Sequence, residues 1–275
     1  MSMEKITEKY FRPGRLPNIW CPGCSNGIVT GAIVKAIDRI NLSKDETTIV
    51  SGIGCSSRAS GYLDFNTVHS AHGRALPFAT GIKLAKPEMK VLVVTGDGDC
   101  TAIGGNHLIH AARRNIDLTV VVFNNNIYGM TGGQYSPLTP THSKASTAPY
   151  RTVDPAFDLA QLAKGAGATF VARSTAFHVQ QLTDLIAQGI QHKGFSIVEA
   201  ICCCPISYGR QNKLGDAPAM MKWQRDHAVL ITAWDKLDEQ KRADKFPTGI
   251  LFQKEAPEYT EEYGKIIQMA QKEGN

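Results

Sequence analysis

The chain is 275 residues long, 43% hydrophobic and 20% charged, with a formal net charge of +5. That length supports one substantial core, and no apolar run approaches the roughly 20 residues that a bilayer-spanning helix needs. Basic residues are scattered among acidic ones, which is not the footprint of a nucleic-acid binder, although a modest positive field favours an acidic protein partner. Residues 1–15 mix both charge signs and lack the apolar centre of a secretion signal, so a cytoplasmic protein is expected. The seven cysteines then argue against a disulfide framework and for a metal or cluster site.

Residues 26–40 carry apolar side chains at helical spacing (Ile28, Ala32, Ile33, Ala36, Ile37, Ile40), just after a Ser-Asn cap signal. Residues 47–53 read as a buried strand ending in Gly52-Ile53-Gly54-Cys55. The Ala- and Gly-rich residues 72–84 fit a helix packed closely on a sheet. Strands are expected at 91–95, 118–124, 169–172 and 196–201, and helices at 106–114, 157–166 and 178–192. Strands alternating with helices of this length imply an α/β fold with a parallel sheet flanked by helices. Residues 128–155 are rich in Gly, Thr, Ser and Pro, and so long a loop in a compact domain points to function. After Tyr208 the pattern loosens. Residues 1–215 are expected to form the binding domain, with 216–275 a tail that packs on it or on a partner.

The first chemical signal lies where the strand at 91–95 stops, at Gly96-Asp97-Gly98-Asp99. Open α/β sheets bind ligands at the carboxyl ends of their strands, and glycines beside Asp97 let backbone N–H groups approach phosphate oxygens. Asp97 offers a hard oxygen ligand of the kind Mg²⁺ prefers. The next strand ends at Asn124-Asn125, and Asn125 follows Asp97 by 28 residues. Neighbouring parallel strands would bring both ends to one crevice, where Asn125 gives a side-chain oxygen and Ile127 a carbonyl. A lone Gly-Asp-Gly is only a turn; paired with the Asn-Asn it resembles the thiamine diphosphate motif.

The second signal is the cysteines. Cys21-Pro22-Gly23-Cys24 puts two thiols on a turn at a helix start, where the helix dipole favours thiolates. Cys55 after the Gly-x-Gly is a natural third ligand, and one of Cys202, Cys203 and Cys204 a fourth. Cys100 reads as a packed small hydrophobe. Four thiolates suit a [4Fe–4S] cluster or a Cys₄ zinc site, and residue types alone leave both open.

Further segments join these: Ser51 to Arg58, His69-Ser70-Ala71-His72-Gly73-Arg74-Ala75-Leu76, Ile103 to Asn106, Asn124 to Gln134, and Cys204-Pro205 before Gly209-Arg210. Over residues 15–215 the chain resembles the β subunits of the 2-oxoacid:ferredoxin oxidoreductases, most closely the bacterial 2-oxoglutarate type. The resemblance implies a thiamine diphosphate-binding fold and oxidative decarboxylation of a 2-oxoacid to its coenzyme A ester, or the reverse. Electrons would pass through a [4Fe–4S] cluster on Cys21, Cys24, Cys55 and Cys204 to ferredoxin. Asp97, Asn125 and the Ile127 carbonyl would hold Mg²⁺. Ile53, Gly54, Cys55, Ser56, His72, Gly96, Gly98, Asp99, Asn125, Tyr128, Gly129, Met130 and Thr131 would line the cofactor. His72 would face the substrate, and Arg74 would bind anionic groups.

Two departures stand out. Ser25 follows the second cysteine where the family more often has glycine, and a Cys202-Cys203-Cys204 run stands where it often has one cysteine. No glutamate here matches the one that activates the cofactor's aminopyrimidine ring. The resemblance assigns that residue to an α subunit, in an α₂β₂ assembly, with the loop 129–149 near the junction. The rival expectations are the same chemistry on pyruvate or another 2-oxoacid, and a zinc-stabilised, non-catalytic binding module.

Overall fold

Continuous β-branched runs such as Val91-Leu92-Val93-Val94 and Thr119-Val120-Val121-Val122 have no polar face, as strands buried on both sides of a parallel sheet require. In a computed structural model that describes residues 3–273, they form the centre of an eight-stranded sheet. Its strands are β1 (Thr47–Ser51), β2 (Asn66–His69), β3 (Lys90–Gly96), β4 (Thr119–Asn124), β5 (Phe170–Thr175), β6 (Ser196–Ile201), β7 (Ala228–Leu230) and β8 (Phe246–Gln253). Their order is β2-β1-β3-β4-β6-β5-β8-β7. The first six run parallel, β8 pairs antiparallel with β5, and β7 lies parallel to β8.

The helices are α1 (Met3–Tyr10), α2 (Asn26–Arg39), α3 (Ala59–Tyr62), α4 (Ala75–Ala85), α5 (Gly105–Arg113), α6 (Leu159–Ala166) and α7 (Val179–Gln191). After β6 follow α8 (Arg210–Asn212), α9 (Ala217–His227), α10 (Ile231–Trp234), α11 (Glu239–Arg242) and α12 (Tyr259–Glu273). Side chains alternate along each strand between two cores. Ile49, Leu92, Val94, Val121 and Phe123 pack with α1, α2 and α7. Val50, Val91, Val93, Val120 and Val122 pack with α4, α5 and α6 on the other face. Among the described residues no helix is long and apolar enough to cross a membrane.

Among the boundaries that differ from the sequence expectation, three are instructive. The helix expected from residue 72 begins at Ala75, because Gly73 takes a left-handed φ of 68° and turns the chain first. The helix expected from 157 begins at Leu159, capped by Asp158, whose carboxylate accepts the N–H groups of Ala160 and Gln161. The strand expected at 169–172 runs on to Thr175, paired with β6 on one side and partly with β8 on the other. The weakly periodic residues beyond Tyr208 contain β7 and β8, so the sheet continues into the C-terminal segment.

The topology places the site. From β1 the chain steps outward to β2, then returns to the other side of β1 as β3. The strand order reverses there, and open α/β sheets leave a crevice at such a point, beyond the carboxyl ends of the strands.

Candidate active site

That crevice is a cavity of about 460 Å³, within the range of about 300–1,000 Å³ usual for small-molecule and cofactor sites. Its walls are the segments that leave three neighbouring strands: Ile53 to Ser56 after β1, Gly96 to Asp99 after β3, and Asn125 with Ile127 to Thr131 after β4. His72 enters from the loop after β2. The structure thus brings together every residue expected to touch the cofactor, along with Asp97 and Ile127. Phe123 and Gln134 also line the cavity and were not anticipated. Arg74 does not line it; its guanidinium donates to the carbonyls of Gly73 (3.4 Å) and Ile103 (3.3 Å) instead.

Strand pairing sets Gly96 opposite Phe123, so Asp97 and Asn125 emerge side by side. Asp97 is 3% exposed, and burial pushes its carboxyl up to about 7. A carboxylate that burial makes costly to ionise is stabilised by a cation. The Asn125 side-chain oxygen accepts the Ile127 N–H at 3.2 Å, closing a turn in which Asn126 takes φ 62. That oxygen keeps a second lone pair for a metal. The oxygen-only donor set of Asp97, Asn125 and a carbonyl fits Mg²⁺. Glycine is required beside it, since a Cβ on Gly98 would fall 2.2 Å from the Tyr128 ring.

Asp99 has a further task besides lining the cavity. Its Oδ1 accepts the N–H of Gly73 (2.7 Å) and of Ile53 (3.3 Å), and its Oδ2 accepts the Thr95 hydroxyl (2.7 Å). One buried carboxylate therefore ties the loops after β1 and β2 to the turn after β3. His72 Nδ1 lies 2.6 Å from the same Oδ1, and the imidazole stands edge-on to Tyr128 with ring centres 5.8 Å apart. Asp99 and Tyr128 thus flank the imidazole at the cavity wall.

The segment between β4 and α6 closes over these groups. The Ser136 hydroxyl donates to Asp97 Oδ2, and the Thr139 hydroxyl donates to the Asn126 carbonyl at 2.6 Å. Neither residue was singled out from sequence. The available signal was the long Ser/Thr/Pro-rich loop itself, in which Ser136 and Thr139 are three residues apart.

The thiols gather at one end of the cavity. Cys55 lies in its wall, and the Cys55 and Cys204 sulfurs flank Gly129, 3.5 and 3.6 Å from where a Cβ would stand. Burial pushes the Cys24 thiol up to about 12, with Cys204, Cys55 and Cys21 adding like charge. Cys55 rises to about 11 by burial, reinforced by Cys204 and Cys21. The four expected ligands therefore gather around Cys24 and Cys55, and four soft thiols suit a metal cluster that displaces their protons. The other two cysteines of the run are engaged elsewhere. Cys202 donates to the Ala200 carbonyl at 3.2 Å, and Cys203 Sγ accepts from Gln224 Nε2 at 3.2 Å. Ser25 fastens the two cysteine segments: its hydroxyl accepts the Cys203 N–H at 2.6 Å.

The chain is similar to several known proteins. The family described as thiamine pyrophosphate enzyme, C-terminal TPP binding domain, matches residues 52–200. The 2-oxoglutarate synthase subunit KorB of Methanocaldococcus jannaschii is 48% identical over 265 residues, covering 96% of this chain and 98% of that protein. KorB of Archaeoglobus fulgidus is 57% identical over 196 residues, covering 71% and 73%. The structure of a 2-oxoglutarate:ferredoxin oxidoreductase from Magnetococcus marinus, with 2-oxoglutarate, coenzyme A and succinyl-CoA bound, superposes with a TM-score of 0.85. Its identity is 31%, over 96% of this chain and 90% of that one. The chain belongs to the thiamine diphosphate-dependent 2-oxoacid:ferredoxin oxidoreductases, as a β subunit of the KorB type.

Proposed function

We propose that this chain is the β subunit of a coenzyme A-dependent 2-oxoglutarate:ferredoxin oxidoreductase, cytoplasmic and joined to an α subunit as α₂β₂. It holds thiamine diphosphate through Mg²⁺ at Asp97, Asn125 and the Ile127 carbonyl, and a [4Fe–4S] cluster at Cys21, Cys24, Cys55 and Cys204. The observation that carries this is the double position of Cys55, which lines the cofactor cavity and adjoins the Cys204 sulfur. Among the described residues no three Cys, His, Asp or Glu side chains close on a single-ion site.

When bound, thiamine diphosphate supplies an electron sink at the substrate's 2-oxo carbon, and the cluster takes electrons one at a time. The chain's own residues bind and orient. Asp97 and Asn125 anchor the metal, Asp99 fixes the loops that carry Ile53 and Gly73, and His72 presents its imidazole to the substrate's carboxylate or carbonyl. Residues 1–215 form the binding domain, and 216–275 extend its sheet and supply surface for the partner.

The deciding experiment is anaerobic purification of the complex followed by turnover on a panel of 2-oxoacids with coenzyme A and ferredoxin. Brown protein with iron and sulfide in equal amounts, turning over 2-oxoglutarate fastest, supports the proposal. Preference for pyruvate overturns the substrate assignment, and a colourless zinc protein overturns the cluster.

A further inference from the structure

Behind the metal turn, a row of polar side chains leads away from the cavity into the sheet. Asn124, the last residue of β4, donates from Nδ2 to Glu199 Oε1 on β6 at 2.7 Å. Glu199 Oε2 accepts from Arg173 Nε on β5 at 2.6 Å, and Arg173 Nη2 donates to Asp158 Oδ1 at 2.7 Å. Glu199 is 4% exposed and Arg173 7%. Arg173 and Glu199 are direct cross-strand partners, and Glu199 pairs with Val122 on its other side. The row therefore crosses three adjacent strands.

The two ends of the row are the two ends of one segment. Asn124 opens it, and its Oδ1 accepts the Asn126 N–H at 3.1 Å, shaping the turn that presents Asn125 and Ile127. Asp158 closes it as the N-cap of α6. Between them lie Tyr128 to Thr131 and Ser136, which face the cavity or Asp97. A buried ion pair carries a large desolvation penalty and stabilises a fold no better than apolar residues of the same volume. What this pair adds is direction: each partner spends its remaining hydrogen-bonding capacity on one end of the strap.

We propose that Glu199, held by Arg173, is a positioning residue for the Mg²⁺–diphosphate site. It fixes Asn124, and through Asn124 the turn that presents Asn125 and the Ile127 carbonyl, while Arg173 fixes the far end of the strap through Asp158. The proposal rests on the Mg²⁺–thiamine diphosphate reading given above.

The test compares Glu199→Gln, Asn124→Ala and wild type in the purified complex stripped of thiamine diphosphate. Protein fluorescence follows thiamine diphosphate binding as Mg²⁺ is raised, and thermal unfolding is measured in parallel. Loss of a charge-assisted hydrogen bond predicts an Mg²⁺ half-saturation raised about tenfold in Glu199→Gln. Asn124→Ala leaves the Arg173–Glu199 pair whole, so it is expected to show the same shift with a smaller loss of melting temperature. Should Glu199→Gln fail to fold, Asn124→Ala decides alone. An unchanged half-saturation in Asn124→Ala overturns the proposal. Wild type that binds thiamine diphosphate without regard to Mg²⁺ overturns the underlying metal reading instead.

Discussion

The Ser136 hydroxyl donates to the Asp97 carboxylate although the two residues lie 39 apart in sequence. The bond joins the turn after β3 to the strap that follows β4, and so couples the carboxylate proposed to bind Mg²⁺ to the segment that closes over it. Ser136→Ala removes a donor from a buried, ionisable oxygen. Net hydrogen-bond worth of about 1 kcal/mol corresponds to roughly fivefold weaker Mg²⁺-dependent thiamine diphosphate binding. Titration calorimetry on the complex reads it.

The cysteine run makes a sharper forecast. Cys204 shares Gly129 with Cys55, whereas Cys202 and Cys203 bond to Ala200 and Gln224. Cys204→Ala is expected to lose most of the iron, sulfide and visible absorption. Cys202→Ala and Cys203→Ala are expected to keep them, and loss in either would move the ligand assignment.

Gly98→Ala places a methyl 2.2 Å from the Tyr128 ring. Overpacking of this kind costs about 1–3 kcal/mol. Here the ring has cavity on one side to retreat into, so much of the effect falls on binding: thiamine diphosphate affinity is expected to drop at least about tenfold, with a modest fall in melting temperature.

His192 supplies a pH dependence remote from the site. Burial holds its imidazole below the ordinary value, against an opposing pull from Asp117 and Glu255. The unfolded chain therefore binds the proton more readily than the native one. The associated stability is complete above the unfolded value of about 6.5 and is lost as pH falls from there through the lower native value. A His192→Gln variant should show a flatter fall in unfolding midpoint between about pH 7 and pH 5. An unchanged slope would exclude His192 as the source.

The central sheet was legible because its strands are apolar runs ended by glycine or asparagine, and the site because two such ends carry its motif. β2 was not legible: Asn66-Thr67-Val68-His69 is a short, half-exposed edge strand with little pattern to show. β8, Phe246–Gln253, includes Pro247 and Gly249 and pairs with β5 from the opposite direction, so its partners cannot be read from its own neighbours. Ser136, Glu199 and the bracing role of Asp99 escaped for a common reason. Each acts through tertiary hydrogen bonds to segments far along the chain, and no local spacing records such a bond.

The staple between Ser25 and Cys203 carries a consequence for biosynthesis. One pair of thiols emerges from the ribosome early, at residues 21 and 24, and another arrives only with residue 204. On the proposed ligand assignment, the early pair cannot complete its set until β6 has inserted between β4 and β5. Loading with iron and sulfide would then follow formation of the parallel part of the sheet, so a carrier that delivers them would meet a largely folded protein rather than a short nascent chain.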